Sequence, residues 1–148
     1  MPTRLVLDTN VVLDWLVFAA TSLDPLAAAV ATGRVRVLTH LPALDELQRV
    51  LGYPVLKLEP IRQSAILVQY RSQTCPATLP TGFAVNNLLL PGGFPRCRDV
   101  DDQPFLALAF HAHATLVSRD RQLLRLARRV APFGLQIMSV EQLLDSAA

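Results

Sequence analysis

The stretch that decides the fold is "RLVLDTNVVLDWLVFAA", residues 4–20. Its first four residues predict a short, largely apolar strand, and the run from Asn10 predicts a helix. Downstream, residues 35–39, 115–118 and 135–138 predict further strands, each separated from the last by helix-like sequence. Strands that alternate with helices form a parallel sheet covered on both faces. The predicted fold is therefore α/β, a three-layer α/β/α sandwich with a central parallel sheet.

Proline and glycine mark the predicted helices and one irregular connection. Helices are predicted at residues 25–32, 41–52, 61–72, 104–113 and 119–130, with a last one from Val140. Residues 75–96 contain four prolines and three glycines. Their apolar residues follow neither the helical nor the strand period. A long irregular connection inside a compact domain is usually functional or mobile. At 148 residues, we expect one domain over residues 1–148 that contains this connection.

Composition sets further expectations. No apolar run approaches the roughly 18 residues that span a membrane, and the N-terminus lacks the features of a signal peptide, so we expect a cytoplasmic protein. Cys75 and Cys97 lack metal-type spacing and should be reduced thiols. Lys57 is the only lysine among 14 basic residues. Arginine suits phosphate recognition, although a compositional bias of the genome would give the same count.

Acidic residues follow the predicted strands. Asp8 comes directly after the first strand, and Asp120 lies just beyond residues 115–118. Asp99, Asp101 and Asp102 precede the helix that leads into that same strand. Ligands of open parallel sheets bind at the carboxyl ends of the strands. These regions could therefore deliver carboxylates to one edge, although each aspartate alone could be an ordinary helix cap.

Helix geometry selects among the remaining acids. On the helix at 41–52, Glu46 borders the apolar stripe, whereas Asp45 faces water and should pair with Arg49 at i,i+4. Gln103 precedes Pro104 and should be the N-cap, which leaves Asp102 free of capping. Asp99 and Asp101 remain orienting, capping or solvated groups.

The arginines and the histidines have different predicted roles. Arg121, Arg125 and Arg128 form one predicted helix stripe that could position a phosphate backbone, with a solvated helix face as the alternative. Arg96 and Arg98 are further candidates. The histidines have no nucleophile partner in the sequence and are interpreted as structural: they are His40, His111 and His113.

Four blocks in order, "VLDTNVVL", "ELQRVL", "RDVDDQPFLALA" and "SRDRQLL", resemble the signature blocks of PIN-domain ribonucleases, most closely toxins of bacterial toxin–antitoxin pairs. The resemblance implies a parallel α/β/α fold and metal-dependent RNA cleavage. It places the catalytic and metal-binding quartet on Asp8, Glu46, Asp102 and Asp120. It also implies auxiliary positions, in which Asn10 orients ligands or holds a water, Asp99 precedes the third acid, and Ser118 replaces a common threonine.

The resulting hypothesis is hydrolysis of RNA phosphodiesters with Mg²⁺ or Mn²⁺, which prefer carboxylate and water oxygens. The resemblance further implies an RNA substrate, a small antitoxin protein and a possible homodimer. The alternative is a non-catalytic PIN-like module that binds RNA or protein. A receiver-type phosphoacceptor domain is disfavoured because Lys57 is badly placed, and a dinucleotide-binding domain because no glycine-rich turn follows the first strand.

Overall fold

The computed structural model of the protein describes residues 2–78 and 89–146. The strands of this part of the chain are β1 (Thr3–Leu7), β2 (Val35–Thr39), β3 (Cys75–Pro76), β4 (Thr115–Val117) and β5 (Gln136–Met138). Its α-helices are α1 (Thr9–Leu16), α2 (Asp24–Ala31), α3 (Leu41–Leu51), α4 (Pro60–Ser72), α5 (Gln103–Ala112), α6 (Arg121–Arg125), α7 (Ala127–Val130) and α8 (Val140–Ser146).

The strands form one sheet in the order β3-β2-β1-β4-β5. Every neighbouring pair is parallel, and in the central pair Leu5 lies opposite Thr115 and Leu7 opposite Val117. The chain moves outward from β1 to β2 and β3, and then returns to place β4 on the other side of β1. The switch in strand order therefore falls between β1 and β4, where open parallel sheets bind ligands.

Alternate strand residues pack into two separate cores. Leu5 and Leu7 lie in a cluster with α1, α3 and α4, whereas Val6 faces a second cluster built mainly on α5, α6 and α7. The same alternation puts Val117 in the first cluster and Leu116 in the second. Because side chains of successive strand residues point to opposite faces, helices cover both sides of the sheet. The predicted three-layer α/β/α fold is confirmed.

Three predicted elements differ in detail. The two-residue strand β3 begins the connection for which only irregular structure was predicted. The helix predicted at residues 119–130 is interrupted at Leu126, which ends α6 and precedes α7. Helix α5 begins at Gln103, so Asp102 and not Gln103 is its N-cap residue. Residues 79–88 of the long connection lie outside the described residues, and the single domain over residues 1–148 stays a prediction.

No single helix of the described residues is long and apolar enough to cross a membrane. The segments Thr9–Leu16 and Thr21–Ala31 would reach the required length only together, and the chain bends by 105° between them.

Candidate functional site

A cavity of about 300 Å³ opens at the carboxyl edge of β1 and β4. All four carboxylates of the predicted quartet line it, although they come from four separate parts of the chain. The predicted auxiliary residues Asn10 and Asp99 line it too. Its full lining consists of Asp8, Thr9, Asn10, Leu13, Glu46, Val50, Tyr53, Val55, Leu56, Asp99, Asp102 and Asp120.

Asp8 is fixed at the end of β1, where it is also the N-cap of α1. Its backbone N–H donates to the Val117 carbonyl at 2.9 Å, which extends the ladder between the central strands. Its buried carboxylate accepts a hydrogen bond from the Thr9 N–H at 2.7 Å and from the Ser118 hydroxyl at 2.7 Å. Burial raises the pKa of Asp8 despite these two donors, and the charges of Asp120 and Asp99 add to the rise.

Ser118 joins the first acid to the fourth. Its fully buried hydroxyl donates to Asp8 and accepts from the Asp120 N–H at 2.9 Å. The Asp120 carboxylate in turn accepts from the Gln122 N–H at 2.8 Å and so caps α6. The ends of β1 and β4 are therefore tied together by one side chain.

Glu46 reaches the cavity from α3. Its Oε2 accepts a hydrogen bond from the Thr9 hydroxyl at 2.5 Å, so α3 and α1 are joined beside Asp8. Arg49 lies 3.8 Å from Glu46 Oε1 and 3.7 Å from the Asp101 carboxylate. The predicted pair between Asp45 and Arg49 is thus replaced by contacts on the cavity side. Burial raises the pKa of Glu46, and repulsion from Asp8 acts in the same direction.

Asp102 is buried at the start of α5, and its side chain makes no capping hydrogen bond. The Cys97 thiol lies 3.9 Å from its Oδ2. Gln103 has another role than the predicted N-cap, since its side-chain oxygen accepts from the Cys97 N–H at 2.7 Å. Burial raises the pKa of Asp102 to about 7, helped by repulsion from Asp8, Asp99, Asp120 and Glu46. The carboxylates of the cavity therefore act on one another electrostatically.

The other predicted residues divide between two places. Asn10 is exposed at the cavity, and Asp99 Oδ1 accepts from the Asp101 N–H at 2.9 Å within the loop before α5. Arg98 and Arg125 line a separate cavity, whereas Arg121 and Arg128 are not among its lining residues. The interruption at Leu126 separates α6 from α7, so the predicted stripe does not run along one continuous helix.

Sequence reasoning missed several residues of the site. The sequence pattern predicts no site role for Thr9 or for Cys97. An apolar wall also went unnoticed: it consists of Leu13, Val50, Tyr53, Val55 and Leu56. The available signal was the position of Thr9 directly after Asp8, because the hydroxyl of a buried residue at a helix start can reach few hydrogen-bond acceptors. No sequence pattern predicts this wall, because the short turn Pro54–Leu56 has neither helical nor strand periodicity.

The chemistry of the donor set suits a hard divalent cation, since carboxylate oxygens predominate and imidazole is absent from the lining. In this structure, however, no three His, Cys, Asp or Glu side chains within the described ranges are placed so that they could hold a metal ion directly. Hydrogen bonds from Thr9 and Ser118 hold Asp8 and Glu46 in their present orientations.

Comparison with known proteins identifies the family of the chain. No curated protein matches the chain. A family model described as the PIN domain matches residues 4–122, which is more than half of the chain and includes all four acids and Ser118. The chain therefore belongs to the PIN-domain family, whose members are generally nucleases.

Proposed function

We propose that the protein is a metal-dependent endoribonuclease that hydrolyses RNA phosphodiester bonds in the acidic cavity. One observation carries the proposal. Asp8, Glu46, Asp102 and Asp120 come from the end of β1, from α3, from the start of α5 and from the residue before α6, and they line one cavity. Four buried or half-buried carboxylates repel one another, and such an arrangement is common at functional sites.

A divalent cation such as Mg²⁺ or Mn²⁺ would offset this repulsion, with the four acids as its ligands. When bound, the cation would activate water and stabilise charge on the phosphate. The raised pKa values of Asp8, Glu46 and Asp102 support this assignment, because each carboxylate is destabilised by burial and by neighbouring acids. Mg²⁺ retains several of its waters in proteins, so the first contacts with these acids need not all be direct.

The protein's own groups then have distinct roles. Asp8 is the most rigid ligand, because its backbone and its carboxylate are both hydrogen-bonded. Ser118 positions Asp8 and Asp120, and Thr9 positions Glu46. Asn10 would orient a water or the substrate phosphate at the cavity mouth. Asp99 would add negative charge beside Asp102 without being a required ligand.

The apolar and aromatic lining of the cavity suits a nucleobase. Tyr53 is 45% exposed and Val55 is 80% exposed, although both line the same cavity as the acids. An exposed aromatic ring beside a phosphate site can stack on a base, and such stacking requires an unpaired strand. We therefore infer a single-stranded RNA substrate or the single-stranded part of a folded RNA.

The cellular role we propose is that of the toxin of a toxin–antitoxin pair, with a small antitoxin protein that covers the acidic cavity. This rests on the resemblance to such toxins. A homodimer and a cytoplasmic location belong to the same proposal. An adjacent small reading frame whose product co-purifies with this chain and abolishes its activity would support it, and active nuclease without any such inhibitor would contradict it.

Cleavage of labelled single-stranded RNA in Mg²⁺ or Mn²⁺ tests the proposed activity. We expect Asp8→Asn and Glu46→Gln to lower the cleavage rate at least about a hundredfold, because metal catalysis contributes several kcal/mol. Asp45→Asn is the matched control, since Asp45 is exposed on the same helix as Glu46. RNA that is bound but left intact with either metal would favour the non-catalytic binding module. Unchanged cleavage by Asp8→Asn would refute the proposed site.

A further inference from the structure

A second cavity, of about 240 Å³, is lined mainly by arginine. Four arginines from two parts of the chain meet there with one amide and one apolar side chain, and the lining consists of Arg96, Arg98, Gln122, Arg125, Leu126 and Arg129. All four arginines are exposed, and no carboxylate is among the lining residues. The ion pairs found within residues 2–78 and 89–146 involve Arg49 and Arg119 instead.

The arginine cavity is built on the residues that hold the acids. Gln122 lines it, and the backbone N–H of this same residue donates to the Asp120 carboxylate at 2.8 Å. Between Arg96 and Arg98, the buried Cys97 contacts Asp102 through its thiol and Gln103 through its N–H. Both walls of the arginine cavity are therefore attached directly to walls of the acidic cavity.

Two of the four arginines stand on either side of the helix interruption. Arg125 and Arg129 are four residues apart, the spacing that places side chains on one helix face. Here Leu126 ends α6 and packs into the core, and α7 begins at Ala127. Arg125 and Arg129 then face Arg96 and Arg98 across one cavity. Leu126 also supplies the apolar floor.

Guanidinium groups remain charged at all ordinary pH values, and their planar forks match the oxygens of phosphate. Four of them around one cavity repel one another, so an anion that enters the cavity lowers the electrostatic energy. A polymer of phosphates has such an anion at each nucleotide. An acidic peptide also carries anions, but the chain belongs to a family whose members are generally nucleases. We therefore favour a nucleic-acid strand over an acidic protein as the ligand of the cavity.

We propose that the arginine cavity binds a backbone phosphate of the RNA strand next to the phosphate that lies at the acidic cavity. The identity of the strand as RNA rests on the proposed function, whereas the phosphate chemistry follows from the four arginines. A contact of this kind positions the strand and is independent of base sequence. It would direct the bound RNA strand from the acidic cavity along the side of α6 and α7.

Equilibrium binding in EDTA tests this site without relying on cleavage. The probe is a fluorescein-labelled single-stranded RNA of about twelve nucleotides, whose anisotropy is measured from low to high salt. The variants are Arg125→Gln with Arg129→Gln, and Arg96→Gln with Arg98→Gln, one pair from each wall. The matched control is Arg62→Gln with Arg71→Gln, which removes the same charge from exposed positions of α4.

We expect either cavity pair to weaken RNA binding about fivefold to thirtyfold at moderate salt. The slope of log K against log salt should become shallower by about 0.7, because one phosphate contact on a single strand is lost. The α4 control should change neither quantity appreciably. Two RNAs of unrelated sequence should be affected equally. A chain that fails to cleave RNA but shows these losses would refute the proposed nuclease and leave this site standing.

Two results would overturn the proposal. The first is that both double variants of the arginine cavity bind RNA as tightly as the α4 control does. The other is unchanged RNA binding together with lost binding of a labelled poly-glutamate peptide, which would assign the cavity to an acidic protein partner. Melting temperatures of all variants, which alter exposed side chains only, verify that the fold is retained.

Discussion

The buried hydroxyl of Ser118 donates a 2.7 Å hydrogen bond to the carboxylate of Asp8, across the junction of β1 and β4. The same oxygen accepts from the Asp120 N–H, so one small side chain fixes two of the four acids. Groups that orient metal ligands in this way commonly contribute tenfold to a hundredfold to affinity or activity. We therefore expect Ser118 to position the proposed ligands and not to take part in the chemistry.

We expect Ser118→Ala to lower cleavage about tenfold to a hundredfold. It should also destabilise the fold by about 1–3 kcal/mol, because a partly buried N–H and a buried carboxylate oxygen lose a partner. Ser118→Thr keeps the hydroxyl and should bind Mn²⁺ more tightly than Ser118→Ala does, as measured by isothermal titration calorimetry. Equal loss of Mn²⁺ affinity in both variants would mean that packing at this position, and not the hydrogen bond, matters.

The Thr9 hydroxyl performs the corresponding task for Glu46. Thr9→Val keeps the shape but removes the donor, so the carboxylate should lose its fixed orientation and the pKa of Glu46 should rise further. We expect about tenfold weaker Mn²⁺ binding. Thr39→Val is the control, because Thr39 is also buried but bonds the Cys75 carbonyl at 3.4 Å, away from the acids. Equal Mn²⁺ affinities of the two variants would contradict the role of Thr9.

The sheet could be predicted from the sequence because its strands are short apolar runs bounded by polar residues. The edge that collects acids was predictable for the same reason, since Asp8 follows its run directly and Asp120 lies just beyond another. Glu46 needed helix periodicity as well, and the observed amphipathic α3 bears out that step. Each of these inferences depends only on local sequence and on the parallel arrangement of strands.

Other features depend on contacts between distant segments and could not be predicted. The approach of Cys97 to Asp102, the apolar wall at Tyr53 and the arginine cavity all result from how loops pack after the sheet has formed. The predicted arginine stripe illustrates the difficulty. Periodicity alone predicts Arg121, Arg125 and Arg128 on one face, but in the structure Arg125 lines the arginine cavity and the other two do not.

Asp102 should make the stability of the metal-free protein depend on pH. Its folded pKa of about 7 lies above the usual value of an aspartate. A raised folded pKa contributes stability at low pH that is lost as the pH rises towards and through 7. Asp102→Asn removes this loss, so in EDTA at pH 8 the variant should be more stable than the wild type by about 1–2 kcal/mol.

The gain should shrink as the pH is lowered towards 5, and urea unfolding of both proteins at each pH measures it. Added Mn²⁺ should reverse the order at pH 8, because a ligand that binds the folded state stabilises the protein in proportion to its affinity. Asp45→Asn should follow the wild type throughout. A variant that is less stable than the wild type at pH 8 without metal would show that Asp102 is not electrostatically strained.

His40 joins the helices that carry Glu46 and Asp102. Its Nδ1 accepts from the Ala43 N–H of α3 at 3.3 Å, and its Nε2 donates to the Pro104 carbonyl of α5 at 3.2 Å. Burial lowers the pKa of this histidine, so its contribution to stability is present above about pH 6.5 and is lost as the pH falls through the folded pKa. Protonation would place two donors, Nδ1–H and Ala43 N–H, face to face.

We expect His40→Asn to keep an N-cap acceptor but to abolish this acid-dependent loss. Between pH 7.5 and 5, the free energy of unfolding of the variant should therefore fall less steeply than that of the wild type. His113→Asn, at an exposed position after α5, is the control and should leave the slope unchanged. Parallel curves for wild type and His40→Asn would assign the acid sensitivity to other groups.

Tyr53 provides the last test, which concerns how the substrate lies in the acidic cavity. Its ring is half exposed and lines the same cavity as the carboxylates, so a base that stacks on it would hold the neighbouring phosphate near the acids. Since stacking of one base contributes about 1–3 kcal/mol, Tyr53→Ala should weaken binding of single-stranded RNA about tenfold. Tyr53→Phe should bind like the wild type, because the ring and not the hydroxyl makes the contact. Ile61→Ala, at an exposed apolar position of α4 that is not among the residues lining the cavity, should have no effect on RNA affinity. Equal affinities of Tyr53→Ala and Ile61→Ala for single-stranded RNA would exclude a base from this wall.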